Sequence, residues 1–267
     1  MGTGRRSFFL RVAGQYARIG LVRKSQFRWE FVNQVVMDCL YYLSFLLTFE
    51  FIYGFREGLT LGGWDRDDIR VFLGMAFVTD AFMMTWLGQT WHFGDDLKAG
   101  NLDTFRLRPG PVWFTYSFQL FSPEGLTNGL VAGAILVHAL AAHPEVALAH
   151  WLLVLPALAV ACTAQIALVV LFQGLEFWVV NADLARFFNN VFTQIADRPL
   201  DVYPRGMKRV FTWLLPLGAL AWFPAGLVVG RHGAVFALVY TVVVLLFARL
   251  AVAVFERGMR RYESALG

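Results

Sequence analysis

The chain has 267 residues and a formal net charge of +4, with 58% of residues hydrophobic and 16% charged, against about 25% charged in soluble domains. With 26 Phe, nine Trp and a mean hydropathy of +0.55, the composition excludes a soluble globular protein and predicts one membrane domain. The two cysteines, Cys39 and Cys162, lie inside apolar runs and read as small buried hydrophobes, not as a disulfide.

The opening stretch, MGTGRRSFFLRVAGQYARIG, has no uninterrupted apolar run because Arg11 and Arg18 break it, so it does not read as a cleavable signal peptide. Within 5–26, Phe8, Val12, Tyr16 and Ile19 recur at helical spacing beside Arg11, Gln15 and Arg18. This predicts a cationic interfacial helix in a cytoplasmic segment 1–28. Six apolar segments of about 20 residues or more follow, the length a bilayer requires: 30–54, 69–91, 123–142, 151–175, 210–230 and 234–255.

Between the second and third of these lies 92–121. Its first part contains DDLKAGNLDTFRLRPGP, Asp95 to Pro111, with six charges in seventeen residues. VWFTYSFQLF, 112–121, reads as an aromatic stretch at the membrane surface. Ser122-Pro123-Glu124 then reads as an N-cap, a first-turn proline and a first-turn acid.

Ionisable residues inside apolar runs are costly and mark candidate sites. Asp80, in FVTDAFMMTW, lies nearest the middle of its span; Glu50 lies near an outer end, and Asp38, Glu124 and Glu176 near inner ends. Solvation or pairing with arginine is the simpler reading of Glu50, Glu124 and Glu176. In 181–197, Leu184, Phe188, Val191 and Ile195 alternate with Asp183, Arg186, Asn190, Gln194 and Asp197, an amphipathic helix resting on the membrane or on a partner. The fifth segment carries Pro216 and Pro224; a kinked helix and a turn back within the outer leaflet both fit.

With both termini cytoplasmic, inner segments hold eighteen Lys and Arg and outer loops four. The net charge is thus a topology signal and implies no nucleic acid. There is no GxxxxGK[ST], no close-set metal ligands among five His and two Cys, and no GxSxG. Any driving energy therefore comes from another polypeptide or an ion gradient. An ion- or proton-coupled secondary transporter using Asp80 and neighbouring carboxylates is one expectation. A non-transporting scaffold docking through 5–26 and 181–197 is another.

Gly100-Asn101-Leu102-Asp103 followed by Leu107-Arg108-Pro109 resembles the G-x-L-D…L-x-P signature of bacterial ABC-2-type permeases. Leu215-Pro216 through Phe223-Pro224-Ala225, and the run Phe177 to Tyr203, also resemble the separate-chain branch of about 265 residues. The chain departs from many relatives in carrying Phe105-Arg106-Leu107 before Arg108-Pro109. The resemblance implies an all-α integral membrane protein with six transmembrane helices, an N-terminal interfacial helix and a short cytoplasmic coupling helix between spans two and three. It implies a non-catalytic permease subunit of an exporter in the bacterial inner membrane, paired with a second permease subunit and driven by ABC ATPase subunits. ATP and Mg would be bound by the partner ATPase and no cofactor by this chain. In that reading Leu97, Leu102, Phe105 and Leu107 supply apolar contacts to the ATPase, with Lys98, Gly100, Asp103, Arg106, Arg108 and Pro109 completing the coupling element. Asp80, Glu50, Pro216 and Pro224 are then candidates for the pathway or a subunit interface, and the aromatic, apolar spans point to an amphiphilic or lipid-linked substrate.

Overall fold

A computed structural model describes residues 11–12, 14–20, 22, 28–56, 58–179 and 184–262. Apolar sequence in lipid must satisfy its backbone internally, which a helix does within one segment. Among the described residues, five helices are long and apolar enough to cross a membrane: α1 (Arg28–Gly54), α2 (Arg66–Trp86), α6 (Pro123–Ala142), α7 (Leu148–Glu176) and α11 (Ala234–Arg261). Shorter helices lie between them: α3 (Phe93–Lys98), α4 (Asp103–Arg106), α5 (Val112–Ser117), α8 (Leu184–Ala196), α9 (Arg205–Arg209) and α10 (Trp222–Val228). Residues 87–122 lie at one end of the bundle, here the near end; the 55–65 and 143–147 connections lie at the far end.

The helix starts follow local chemistry. Asp65 caps α2, its carboxylate accepting the Asp68 N–H at 2.8 Å in a reciprocal capping box. Asp68 also pairs with Arg231 at 2.7 Å and His143 at 3.2 Å, tying together three far-end connections. Ser122 stands at the N-cap of α6, with Pro123 in its first turn, but its side chain makes no cap bond; its N–H donates to Thr85 O at 3.0 Å.

Two packed pairs, α2 antiparallel to α6 and α7 parallel to α11, form the body of the fold. Glycine allows α7 and α11 to touch: a Cβ on Gly174 would stand 2.8 Å from the Phe255 nitrogen, and one on Gly258 2.9 Å from Gly174 O. Close backbone approach replaces the hydrophobic drive that lipid does not supply. Helix α1 is peripheral, with few of its residues buried. It is held by the Tyr42–Phe77 stack at 4.4 Å and by Glu50, which accepts from both Arg66 and Arg70. Glu50 is therefore an ion-paired tether.

The fifth crossing differs from expectation. Residues 210–230 are not one helix: a π-helical turn Val210–Leu214 ends at extended Leu215, Pro216 precedes a short 3-10 turn Leu217–Ala219, and α10 follows. Pro216 breaks the helix, whereas Pro224 falls in the first turn of α10, where its missing N–H costs little. The chain turns back before Pro224, deep enough for Leu220 O to accept from Thr79 Oγ1 at 2.9 Å. Residues 217–226 are all buried, as non-helical backbone at membrane depth requires.

The passage is made instead by 184–202, which takes in most of the 181–197 expected to be a surface helix; 181–183 lie outside the described residues. Arg186 donates to Trp91 O at the near end, Asp197 lines a cavity with Tyr42 and Asp80, and Asp201 accepts from Trp64 Nε1 at the far end. Thirteen helical residues cover about 20 Å, and 197–202 complete the crossing. Six crossings result among the described residues, with a buried re-entrant hairpin before the last. Arg198, Arg205, Lys208 and Arg209 accordingly move from the near end to the far half, and the positive-inside bias is smaller than the count of eighteen to four.

Candidate functional site

The charged segment after α2 folds into a compact near-end element. Gly100 at φ 74° and Gly110 at φ 118° supply the left-handed turns that separate α3, α4 and α5. Asp96 pins the turn from inside. It accepts from Tyr116 Oη at 2.7 Å, Gln89 Nε2 at 3.0 Å and Asn101 Nδ2 at 2.8 Å. Burial, then the Asp96 carboxylate, pushes the Tyr116 hydroxyl well above its ordinary pKa, so it stays a donor.

Apolar side chains anchor this element to the bundle. Leu102 is 0% and Phe105 5% exposed. Phe105 packs edge-on against Tyr116, and Phe93 against Phe177 of the α7 end and Phe255 of α11. Leu102 and Phe105 therefore serve this chain's own core, which corrects their assignment to a partner surface. Leu97 is half-buried against the same core.

What faces outward is a tip. Leu107 is 89% exposed, and Lys98, Arg106, Arg108 and Pro109 are exposed with it. Arg108 lies over the Phe105 ring at 4.1 Å and donates to Tyr16 Oη at 3.3 Å, linking the tip to the N-terminal helical residues. Asp103 is half-buried and pairs with Arg106 at 3.8 Å. Beyond the tip, Ser117 Oγ reaches Gln173 of α7 at 3.1 Å, and Arg186 of α8 pairs with Asp95 at 3.1 Å. One small element thus contacts α7, α8 and α11 while continuing directly from α2 and into α6.

At mid-bundle a cavity of about 470 Å³ opens between α1, α2, α7 and the stretch after α8. Asp80 lies here, Asp38 and Asp197 line the same cavity, and among the described residues no Lys or Arg lines it. Asp38 is held by Asn128 Nδ2 at 2.6 Å and Gln34 Nε2 at 3.1 Å; Tyr42 Oη donates to Asp80 at 3.4 Å. Tyr41, Phe77, Met83, Met84 and Trp91 supply soft, polarisable walls. A second cavity of about 420 Å³, between α1 and 197–202, shares Asp197 with the first. Three carboxylates without a lining cation suit a cation, a proton or a hydrogen-bond donor.

Asp80 was visible in the sequence as an acid within an apolar span. Asp38, Asn128 and Asp197 as its neighbours were not, because their spacing along the chain carries no trace of the meeting. Pro216 and Pro224 do not line this cavity; they shape the hairpin whose Leu220 and Ala221 close it.

Asp65, Asp68 and His143 also come within metal-ligating distance of one another at the far end. Helix capping and the Arg231 pair already account for these side chains.

A comparison with family models matches residues 37–265 to the ABC-2 family transporter protein model. No curated protein and no solved structure matches the chain significantly. The match takes in α2 through α11 and most of α1, with the near-end element and the acidic cavity inside it. The chain is a multi-pass membrane protein of the ABC-2 transporter family, a permease component of an ABC transporter.

Proposed function

We propose that this chain is the permease half of an ATP-driven exporter, and that the near-end tip around Leu107 seats in an ATPase subunit. The observation that carries this reading is the division of labour within 93–117. Leu102, Phe105 and Phe93 lock the element to the bundle, while Arg106, Leu107, Arg108 and Pro109 stand clear. A knob that cannot flex on its own passes any displacement to the helices it grips, here α7, α8 and α11 together with α2 and α6. ATP and Mg belong to the partner. The near end, where α1 begins and α11 ends, is cytoplasmic, and the membrane is the bacterial inner membrane.

Helix α8 supports a second permease subunit. Arg186, Asn190 and Gln194, spaced four residues apart, are exposed along a helix that crosses the bundle. Such a stripe is costly in hydrocarbon, so it faces a water-filled path or another copy of the fold. The acidic cavity opens beside it, which supports a pathway along α1, α2 and α8.

The three carboxylates of that cavity favour one competing reading, an ion-coupled carrier working alone. The two separate in one experiment. The tagged chain is isolated gently from its native membrane, its companions are identified by mass spectrometry, and ATP-dependent transport is followed. R106E/L107D should lose the ATPase and the ATP dependence while remaining folded. A chain recovered without an ATPase, whose ion flux in proteoliposomes vanishes in D80N, sinks the exporter reading.

A further inference from the structure

At the far end, α9, the π-helical turn after it, α10 and the start of α11 enclose a cavity of about 480 Å³ that is separate from the acidic one. Arg205, Lys208, Arg209 and Arg231 face it, against one carboxylate, Asp201. Asp201 is already engaged: it accepts from Trp64 Nε1 at 2.7 Å, from Trp222 Nε1 at 2.6 Å and from Lys208. Arg231 is committed as well, to Asp68, to Gly63 O and to the Trp64 ring. The side chains of Arg205 and Arg209, one turn apart on α9, make no hydrogen bond or ion pair among the described residues, and both residues are exposed. Two arginines at one cavity mouth, with no acid left to receive them, match an anion with several acceptor oxygens.

The surroundings specify more than an anion. The residues flanking the lining are apolar and exposed: Val210 and Leu214, beside Arg209 and Trp213, are 40% and 68% exposed, and Val235 and Leu238, around Phe236, are 79% and 68% exposed. In a membrane protein such flanks are apolar lips turned to hydrocarbon. Trp213, 46% exposed, itself lines the cavity and packs against Phe236, an aromatic of the kind that collects at membrane interfaces. A soluble anion would use the arginines and leave the lips idle. We propose that this cavity binds the phosphate headgroup of an anionic membrane amphiphile, with Arg205 and Arg209 on the phosphate and the acyl chains along Val210, Leu214 and Val235. It requires neither an ATPase nor a direction of transport.

The test uses the purified full chain, with whatever subunits accompany it, in a neutral detergent. Short-chain phosphatidylglycerol, short-chain phosphatidylcholine and inorganic phosphate are titrated by calorimetry. Saturable binding of phosphatidylglycerol is expected, weakened about tenfold or more in R205Q/R209Q. R56Q, which alters another far-end arginine outside the cavity, should bind as wild type does. The proposal is overturned if the double variant binds phosphatidylglycerol unchanged. It is overturned equally if inorganic phosphate binds as tightly as the lipid, which would make this a site for a soluble anion.

Discussion

His232 is packed between Trp222, at 4.4 Å between rings, and Gly226, where a Cβ would come within 2.6 Å of its Cδ2. Burial disfavours its charged form first; the Asp201 carboxylate pulls the other way and the Lys208 ammonium adds to the depression, leaving its pKa at about 4 against an ordinary 6.5. In the unfolded chain the imidazole takes up a proton below about pH 6.5, whereas the folded protein resists protonation down to about pH 4. The unfolded state therefore binds more protons in that window, and stability falls as pH falls through it. Above it the residue contributes no slope. H232Q should show a shallower fall in thermal midpoint between pH 7 and pH 5 than wild type. An unchanged slope in H232Q would mean that the imidazole titrates normally in the folded protein.

The near-end element shows how far hydropathy alone can be read. Leu102 and Phe105 are three residues apart and Leu107 follows, so the sequence supports one apolar face and a docking role for all of it. What the sequence does not carry is the direction of that face. Leu102 is buried in a core it shares with Tyr116, Phe93, Phe177 and Phe255, the last two more than seventy residues away, and Phe93 packs against the other three rings. The structure divides the residues by burial, and stability should divide with them. Leu102→Ala should cost about 2–4 kcal/mol, the price of an unfilled core site. Leu107→Ala should stay within about 0.5 kcal/mol, as exposed positions do, yet reduce recovery of the ATPase. Denaturation midpoints for the pair, beside co-purification yields, check both halves. Equal destabilisation by the two would contradict the burial pattern.

At the scale of the whole molecule, spans one to four and the last were legible because long apolar runs have one stable form in lipid. The fifth crossing was not legible. Residues 216–226 are apolar because they are buried in protein, and 184–196 crosses the bundle although it is amphipathic; hydropathy cannot distinguish protein from lipid as the apolar surroundings. The positive-inside count inherited that exchange and assigned Arg205 and Arg209 to the same side as Arg106. The structure instead puts 205–209 beside Arg231 and, through Asp201, beside Trp64, at the opposite end from the tip. Single cysteines decide the matter in a C39S/C162S background. Thr104→Cys at the near end and Gly206→Cys at the far end are both exposed positions. A membrane-impermeant maleimide added to intact cells should label 206 and leave 104 unlabelled until the cells are opened. Labelling of both from one side would return 184–202 to the membrane surface, and with it would go the polar stripe of α8 as a wall of the pathway.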